Sequence, residues 1–130
     1  MRILGIDYGD KKIGLAFGES DASVAVPLDV VPNLGDATIQ KFAAQVKAED
    51  IDLIVVGVPL SSRSQVQLEK ARAFILKLQA VVTVPIVEED ESYTTTESRR
   101  LMIEEDAKAG EDALAAMLIV QQYLNRRQGL

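Results

Sequence analysis

The residues of this chain best suited to chemistry are acids placed where secondary elements start or stop. Asp7 ends the apolar run 2–6 and is followed by Tyr8-Gly9-Asp10-Lys11-Lys12, a stretch with turn character. Ile13, Leu15 and Phe17 then alternate with Gly14, Ala16 and Gly18. That is the period of a strand with one bulky and one nearly bare face, so residues 1–18 read as a β-hairpin. A carboxylate at the end of its first strand fits two roles. Aspartate braces turns through its own side chain, and open α/β sheets gather their chemistry at the carboxyl ends of strands. Further acids, Glu88-Glu89-Asp90-Glu91, close a later apolar run, and Asp112 opens the last helical pattern.

Composition narrows what these acids could do. The chain of 130 residues contains neither histidine nor cysteine. Ser-His-Asp catalysis, thiol nucleophiles, disulfides and the usual zinc sites are therefore excluded. What remains is work by carboxylates, hydroxyls, Lys, Arg, Tyr, or a metal held by oxygen, and hard oxygen ligands select Mg²⁺ or Mn²⁺. Net charge is −6, which argues at first against a nucleic-acid partner. The acidity is local, however. Residues 88–112 hold ten acids against Arg99, Arg100 and Lys108, a net of −7, which leaves the rest of the chain at +1. Such a cluster is a metal site or a solvated face. There is no apolar run of about 18 residues to cross a membrane, and the start of the chain lacks the pattern of a signal peptide. A cytoplasmic protein of one domain, residues 1–130, is expected.

The elements that must position the acids follow from periodicity. After the hairpin, residues 23–31 form a third extended segment, and Pro27 puts it at a sheet edge because proline cannot donate to a ladder. Asp36 is a candidate N-cap for a helix with Ile39, Phe42, Ala43 and Val46 on one face. The continuous run 53–58 (LIVVGV) reads as a parallel strand buried on both faces. A second helix carries Ala71, Phe74, Ile75, Leu78 and Val82 on one stripe. A short fifth strand is expected at 84–87. Thr94 with Glu97 fits a capping box for a helix to about residue 106, and a last helix runs over 111–125 with Leu114, Leu118 and Tyr123 among its buried candidates. Arg126 and Arg127 suit its negative end. The order βββαβαβαα predicts an α/β fold: a mixed five-stranded sheet, with a three-strand antiparallel meander, two parallel strands and helices on both faces.

In that arrangement Asp7 and the acids of 88–91 end strands on one rim. Small residues Ala115 and Ala116 would let the last helix press on the sheet and bring Asp112 to the same rim. Three carboxylates at one rim repel each other unless a cation sits between them. Two divalent ions roughly 4 Å apart activate water and stabilise the leaving oxygen of a phosphodiester.

Four short motifs then carry a resemblance. Asp7-Tyr8-Gly9 with Lys12-Ile13-Gly14-Leu15-Ala16, Gly57-Val58-Pro59-Leu60, Asp90-Glu91 followed by Tyr93-Thr94-Thr95, and Asp112-Ala113-Leu114-Ala115-Ala116 occur in the order seen in the YqgF (RuvX) family. The chain resembles that family over essentially its whole length. The resemblance implies a ribonuclease-H-like fold, related to Holliday-junction resolvases, and nuclease activity in pre-16S rRNA processing during ribosome biogenesis. It also implies that Asp7, Glu91 and Asp112 are the catalytic residues and hold Mg²⁺ or Mn²⁺.

The chain departs from the family pattern at Ser92, where a basic residue is usual. It departs again in the loop Ser61-Ser62-Arg63-Ser64-Gln65, and in Lys108-Ala109-Gly110-Glu111, where the approach to the last Asp is less basic. All three changes thin out phosphate contacts and leave the acids in place. Lys12, Arg63 and Lys108 remain as candidate substrate contacts; Lys11 reads as surface charge. The expected partner is structured RNA, or alternatively branched DNA, met by a monomer or a homodimer. A catalytically weak binding module for ribosome assembly is the reading from a different class, and the acidic balance favours it.

Overall fold

The computed structural model describes residues 1–60, 65–91 and 111–127. Its strands are β1 (Arg2–Asp7), β2 (Lys12–Glu19), β3 (Val24–Pro32), β4 (Leu53–Val58) and β5 (Ile86–Asp90). Its helices are α1 (Asp36–Ala48), α2 (Gln65–Gln79) and α3 (Glu111–Arg127). The strands form one sheet in the order β3-β2-β1-β4-β5. β1 pairs antiparallel with β2, and β2 with β3, while β1–β4 and β4–β5 are parallel. The expected meander and the two parallel additions are both present. The helix expected from Thr94 lies outside the described residues.

Alternation along the strands sends two sets of side chains to opposite faces. Leu4, Ile6, Ile13, Leu15, Ile54, Val56 and Val58 pack with Ile39, Phe42 and Val46 of α1 and with Phe74, Ile75 and Leu78 of α2. Ile3, Ala16, Leu53 and Val55 face Leu114, Met117, Ile119, Val120 and Leu124 of α3. Helices therefore cover both faces. β4 is buried at all six residues, as a strand between parallel neighbours requires. β3 is the edge. Pro27 lies on it beside a register shift, where Leu15 faces Asp29 but Ala16 faces Pro27. Proline and a bulge together blunt such an edge against further pairing.

Three local expectations shift. Asp36 is the first residue of α1 and not its cap; Gly35 takes the cap position at φ 68°, where a side chain would be strained. Thr38 compensates, accepting from the Leu34 amide at 2.9 Å and donating to the Pro32 carbonyl at 3.0 Å. Val82 lies beyond the end of α2, though it still packs against that core. β5 runs two to three residues later than expected, so Glu88, Glu89 and Asp90 belong to the strand instead of following it. In the last helix Leu114 is buried as expected, whereas Leu118 and Tyr123 are only partly so.

The displaced acids are accommodated by long-range partners. Glu88 holds Arg72 of α2 through two hydrogen bonds of 3.0 Å. Glu89 is 2% exposed and accepts from Arg126 and from Gln122, the latter at 2.9 Å. The Gln122 amide also donates to the Asp90 carbonyl at 3.0 Å. A buried carboxylate needs such partners, since stripping one away leaves charge in a poor solvent. Arg126→Met is therefore expected to cost about 2 kcal/mol, below the full value for a buried pair because the arginine is itself largely exposed. Urea denaturation checks this, and Arg126→Lys should recover most of the loss.

Candidate active site

Asp7 is the last residue of β1, and its neighbours in the sheet are both glycines: Gly14 across the antiparallel pair and Gly57 across the parallel one. Because Ile6 points to the α1 and α2 face, Asp7 alternates to the α3 face, as do Gly14 and Gly57. α3 is seated on this bare surface. A methyl group added at Gly14 would fall on the main-chain carbonyl of Asp112 and 2.9 Å from the Ala113 nitrogen. One added at Gly5 would strike Val120 and come within 3.2 Å of the Ala116 carbonyl oxygen. Ala115 and Ala116 are buried there, so small residues on both partners let helix and sheet approach closely. The first turn of α3 consequently delivers Asp112 to the strand end that carries Asp7.

The turn after Asp7 is fixed from several sides. Tyr8 alternates to the other face and packs edge-on against Phe74, with centroids 4.9 Å apart. The Asn33 amide donates to the Gly9 carbonyl at 2.9 Å, and the Asn33 main-chain N–H donates to the Lys11 carbonyl at 2.9 Å. Lys70 of α2 reaches Asp10 at 3.3 Å. The turn thus has little freedom to move Asp7.

Asp7 and Asp112 line one open cavity of about 360 Å³, together with Tyr8, Gly9, Asp10, Lys11 and Lys12. Within it the Lys12 ammonium stands 3.3 Å from Oδ2 of Asp112. That oxygen is sealed from solvent and makes no hydrogen bond with the described residues, the ammonium lying at ion-pair distance but off the hydrogen-bonding direction.

Glu91 directly follows β5 and is half-buried. Its Cβ lies 3.7 Å from the place where a Gly57 side chain would begin, so Gly57 is the bare gap between Glu91 and Asp7. The three acids share a rim and a face, but the geometry stops short of a shared ligand set. Among the described residues no three acids are close enough together to hold one metal ion as the side chains stand. The cavity brings together Asp7, Asp112 and Lys12; Glu91 is set apart from it across Gly57. Arg63 and Lys108 lie outside the described residues.

Sequence reasoning missed two contributors. Tyr8 is an anchor for the turn, which its alternation against Ile6 could have suggested. Gly57 is a vacant position beside Asp7, and a glycine inside a buried strand is a known sign of close approach.

Residues 1–126 match the RuvX family, described as Holliday junction resolvase. A protein of Pelotomaculum thermopropionicum named "Putative pre-16S rRNA nuclease" is 35% identical over 134 residues, covering 96% of this chain and 87% of its own. One of Streptococcus uberis with the same name is 32% identical, with coverage of 97% and 99%. Among solved structures, Thermus thermophilus RuvC in complex with Holliday junction substrate superposes with a TM-score of 0.62 at 16% identity, covering 99% of this chain and 97% of that one. The fowlpox virus resolvase in complex with Holliday junction DNA gives 0.64 at 11% identity, with coverage of 98% and 99%. These structural likenesses show the fold, which is ribonuclease-H-like. The family match and the identity to curated relatives go further: this chain belongs to the RuvX family.

Proposed function

We propose that this chain is a divalent-metal-dependent nuclease that hydrolyses phosphodiester bonds, and that its task is 5′-end processing of pre-16S rRNA in the cytoplasm. The observation that carries the reading is the seating of Asp112 on Gly14, the strand partner of Asp7, which joins two acids far apart in sequence at one rim. The names borne by its relatives support the substrate. Asp7, Asp112 and Glu91 would hold Mg²⁺ or Mn²⁺. The donor set is all oxygen, and the sealed Oδ2 of Asp112 has no hydrogen-bond donor among the described residues, so a hard cation suits it. A bound divalent ion supplies hydroxide near neutral pH and charge to stabilise a leaving oxygen. The chain's own part is positional. The braced turn holds Asp7, the first turn of α3 holds Asp112, and Lys12 presents a cation on the open side of the cavity, where a phosphate backbone would pass.

Incubating precursor 16S RNA and four-way DNA junctions with the protein, in Mg²⁺ or Mn²⁺ and then in chelator, tests the reading. Cleavage at the RNA 5′ end only with metal is the expected result. Preferential cleavage of junctions would select a branched-DNA resolvase, the reading that the family's description favours. Binding of the precursor without cleavage of either substrate would select an assembly module, which the net charge of −6 favours. Metal should also be visible without turnover. At ten times its Kd, Mg²⁺ adds about 1.4 kcal/mol to the folded state, a rise in Tm of about 5 °C. Asp7→Asn should remove most of that rise, and a full rise in the variant would exclude Asp7 as a ligand.

A further inference from the structure

The pair between Lys12 and Asp112 is set by the close seating of helix α3 on Gly14. Lys12 opens β2, two residues before Gly14, and Asp112 lies in the first turn of α3, whose main chain rests on Gly14. Neither backbone can drift from the other without lifting the helix off the sheet. At the centre of the pair is an oxygen with an unusual environment. Oδ2 of Asp112 is shielded from water and receives no hydrogen bond from the described residues, yet an ammonium stands 3.3 Å away. Most shielded polar atoms are satisfied by a directed donor. This one is satisfied by charge alone, which is how an oxygen accommodates a cation. Lys12 has the freedom its partner lacks: its side chain is 67% exposed on a flexible stem, against 29% for Asp112.

We infer that Lys12 is a built-in counter-ion of Asp112 that a divalent cation displaces, and that its displacement frees the ammonium to grip a substrate phosphate. The inference rests on the reading that Asp112 is a metal ligand. One shielded oxygen cannot closely serve two cations, because they repel each other across a few ångströms. Metal entry must therefore move Lys12, and the open cavity that it lines gives it space to move into. Metal occupancy and grip on the backbone become coupled: the protein holds nucleic acid with one more cation once the metal is in place.

The test is calorimetric titration of Mg²⁺ into the intact protein at low salt, for wild type, Lys12→Met and Lys12→Arg. Methionine keeps the stem and removes the charge, and an exposed position tolerates it without loss of fold. Removing the competitor should tighten Mg²⁺ binding about three- to fivefold, the scale of a partly exposed ion pair. Lys12→Arg should stay at the wild-type affinity or below it. Equal or weaker Mg²⁺ binding by Lys12→Met, with wild type binding normally, overturns the inference and leaves the metal reading intact. Failure of wild type to bind Mg²⁺ overturns both.

A second measurement reads the release itself. The salt dependence of binding to a short phosphorothioate RNA hairpin should steepen between chelator and Mg²⁺ in wild type and in Lys12→Met. The wild-type increase should be larger by about one phosphate contact. Equal steepening in the two proteins shows that Lys12 is not handed to the backbone, and that half of the inference falls.

Discussion

Asp112→Asn is expected to cut cleavage by more than about 100-fold while leaving nucleic-acid binding intact or tighter. The scale follows from metal sites in which merely orienting partners are worth 10- to 100-fold, so that loss of a direct ligand exceeds that range. Asparagine keeps the shape of the side chain and its helix-start position, and the lost attraction between carboxylate and helix dipole is worth only about 0.5 kcal/mol. Folding is therefore spared and the effect is confined to chemistry. Binding improves because a negative charge beside the backbone is gone and Lys12 loses its partner. Parallel measurement of cleavage rate and RNA affinity separates these effects. Cleavage within tenfold of wild type would remove Asp112 from the catalytic set.

Gly14→Ala is expected to be the most damaging single methyl in the sheet. The new carbon coincides with the Asp112 carbonyl group and crowds the Ala113 nitrogen. These are main-chain atoms of a helix, so no side-chain rotation relieves the clash. Overpacking of this kind costs about 3 kcal/mol, a fall in Tm of about 10 °C for a domain of this size. The helix can escape only by lifting its first turn, which carries Asp112 away from Asp7. The remaining folded protein should therefore also lose its stabilisation by Mg²⁺. Urea unfolding with and without Mg²⁺ reports both effects. A variant within 1 kcal/mol of wild type would mean that the seat of α3 yields far more than its backbone contact implies.

Much of this seat is legible in the sequence. The alternation of Ile13, Leu15 and Phe17 with Gly14, Ala16 and Gly18 announced a bare strand face, and Ala115-Ala116 announced a helix able to approach it. The run LIVVGV announced a strand between parallel neighbours. What the sequence hid was held in pairs distant along the chain. The end of β5 was misplaced because Glu88-Glu89-Asp90 looks like a solvated loop in any short window. Pairing with β4 makes a strand of it, and Arg72, Gln122 and Arg126 accommodate its acids. Asp36 looked like a cap because its type is right, but the chain uses the positive φ of Gly35 and the hydroxyl of Thr38 instead. The ion pair of Lys12 with Asp112 joins residues a hundred positions apart, and no local pattern marks it. The acids themselves could be nominated from their places at element ends; their separation across Gly57 could not.

The position of α3 in the chain has a consequence for the protein's birth. α3 follows all five strands, yet it covers the face of β1, β2 and β4 on which Asp7, Gly14 and Gly57 lie. On the ribosome, α1 and then α2 are available to cover the opposite face once synthesis has passed residue 79. α3 cannot close over the glycine-lined face until synthesis has passed residue 127. Closing it requires contacts between the two ends of the described chain, the kind of long-range pairing that slows folding and exposes an intermediate. The candidate site is therefore assembled last. A nascent or truncated chain lacking α3 leaves Asp7 without Asp112 and Lys12 without its partner, so whatever chemistry the pair performs is withheld until α3 has been made.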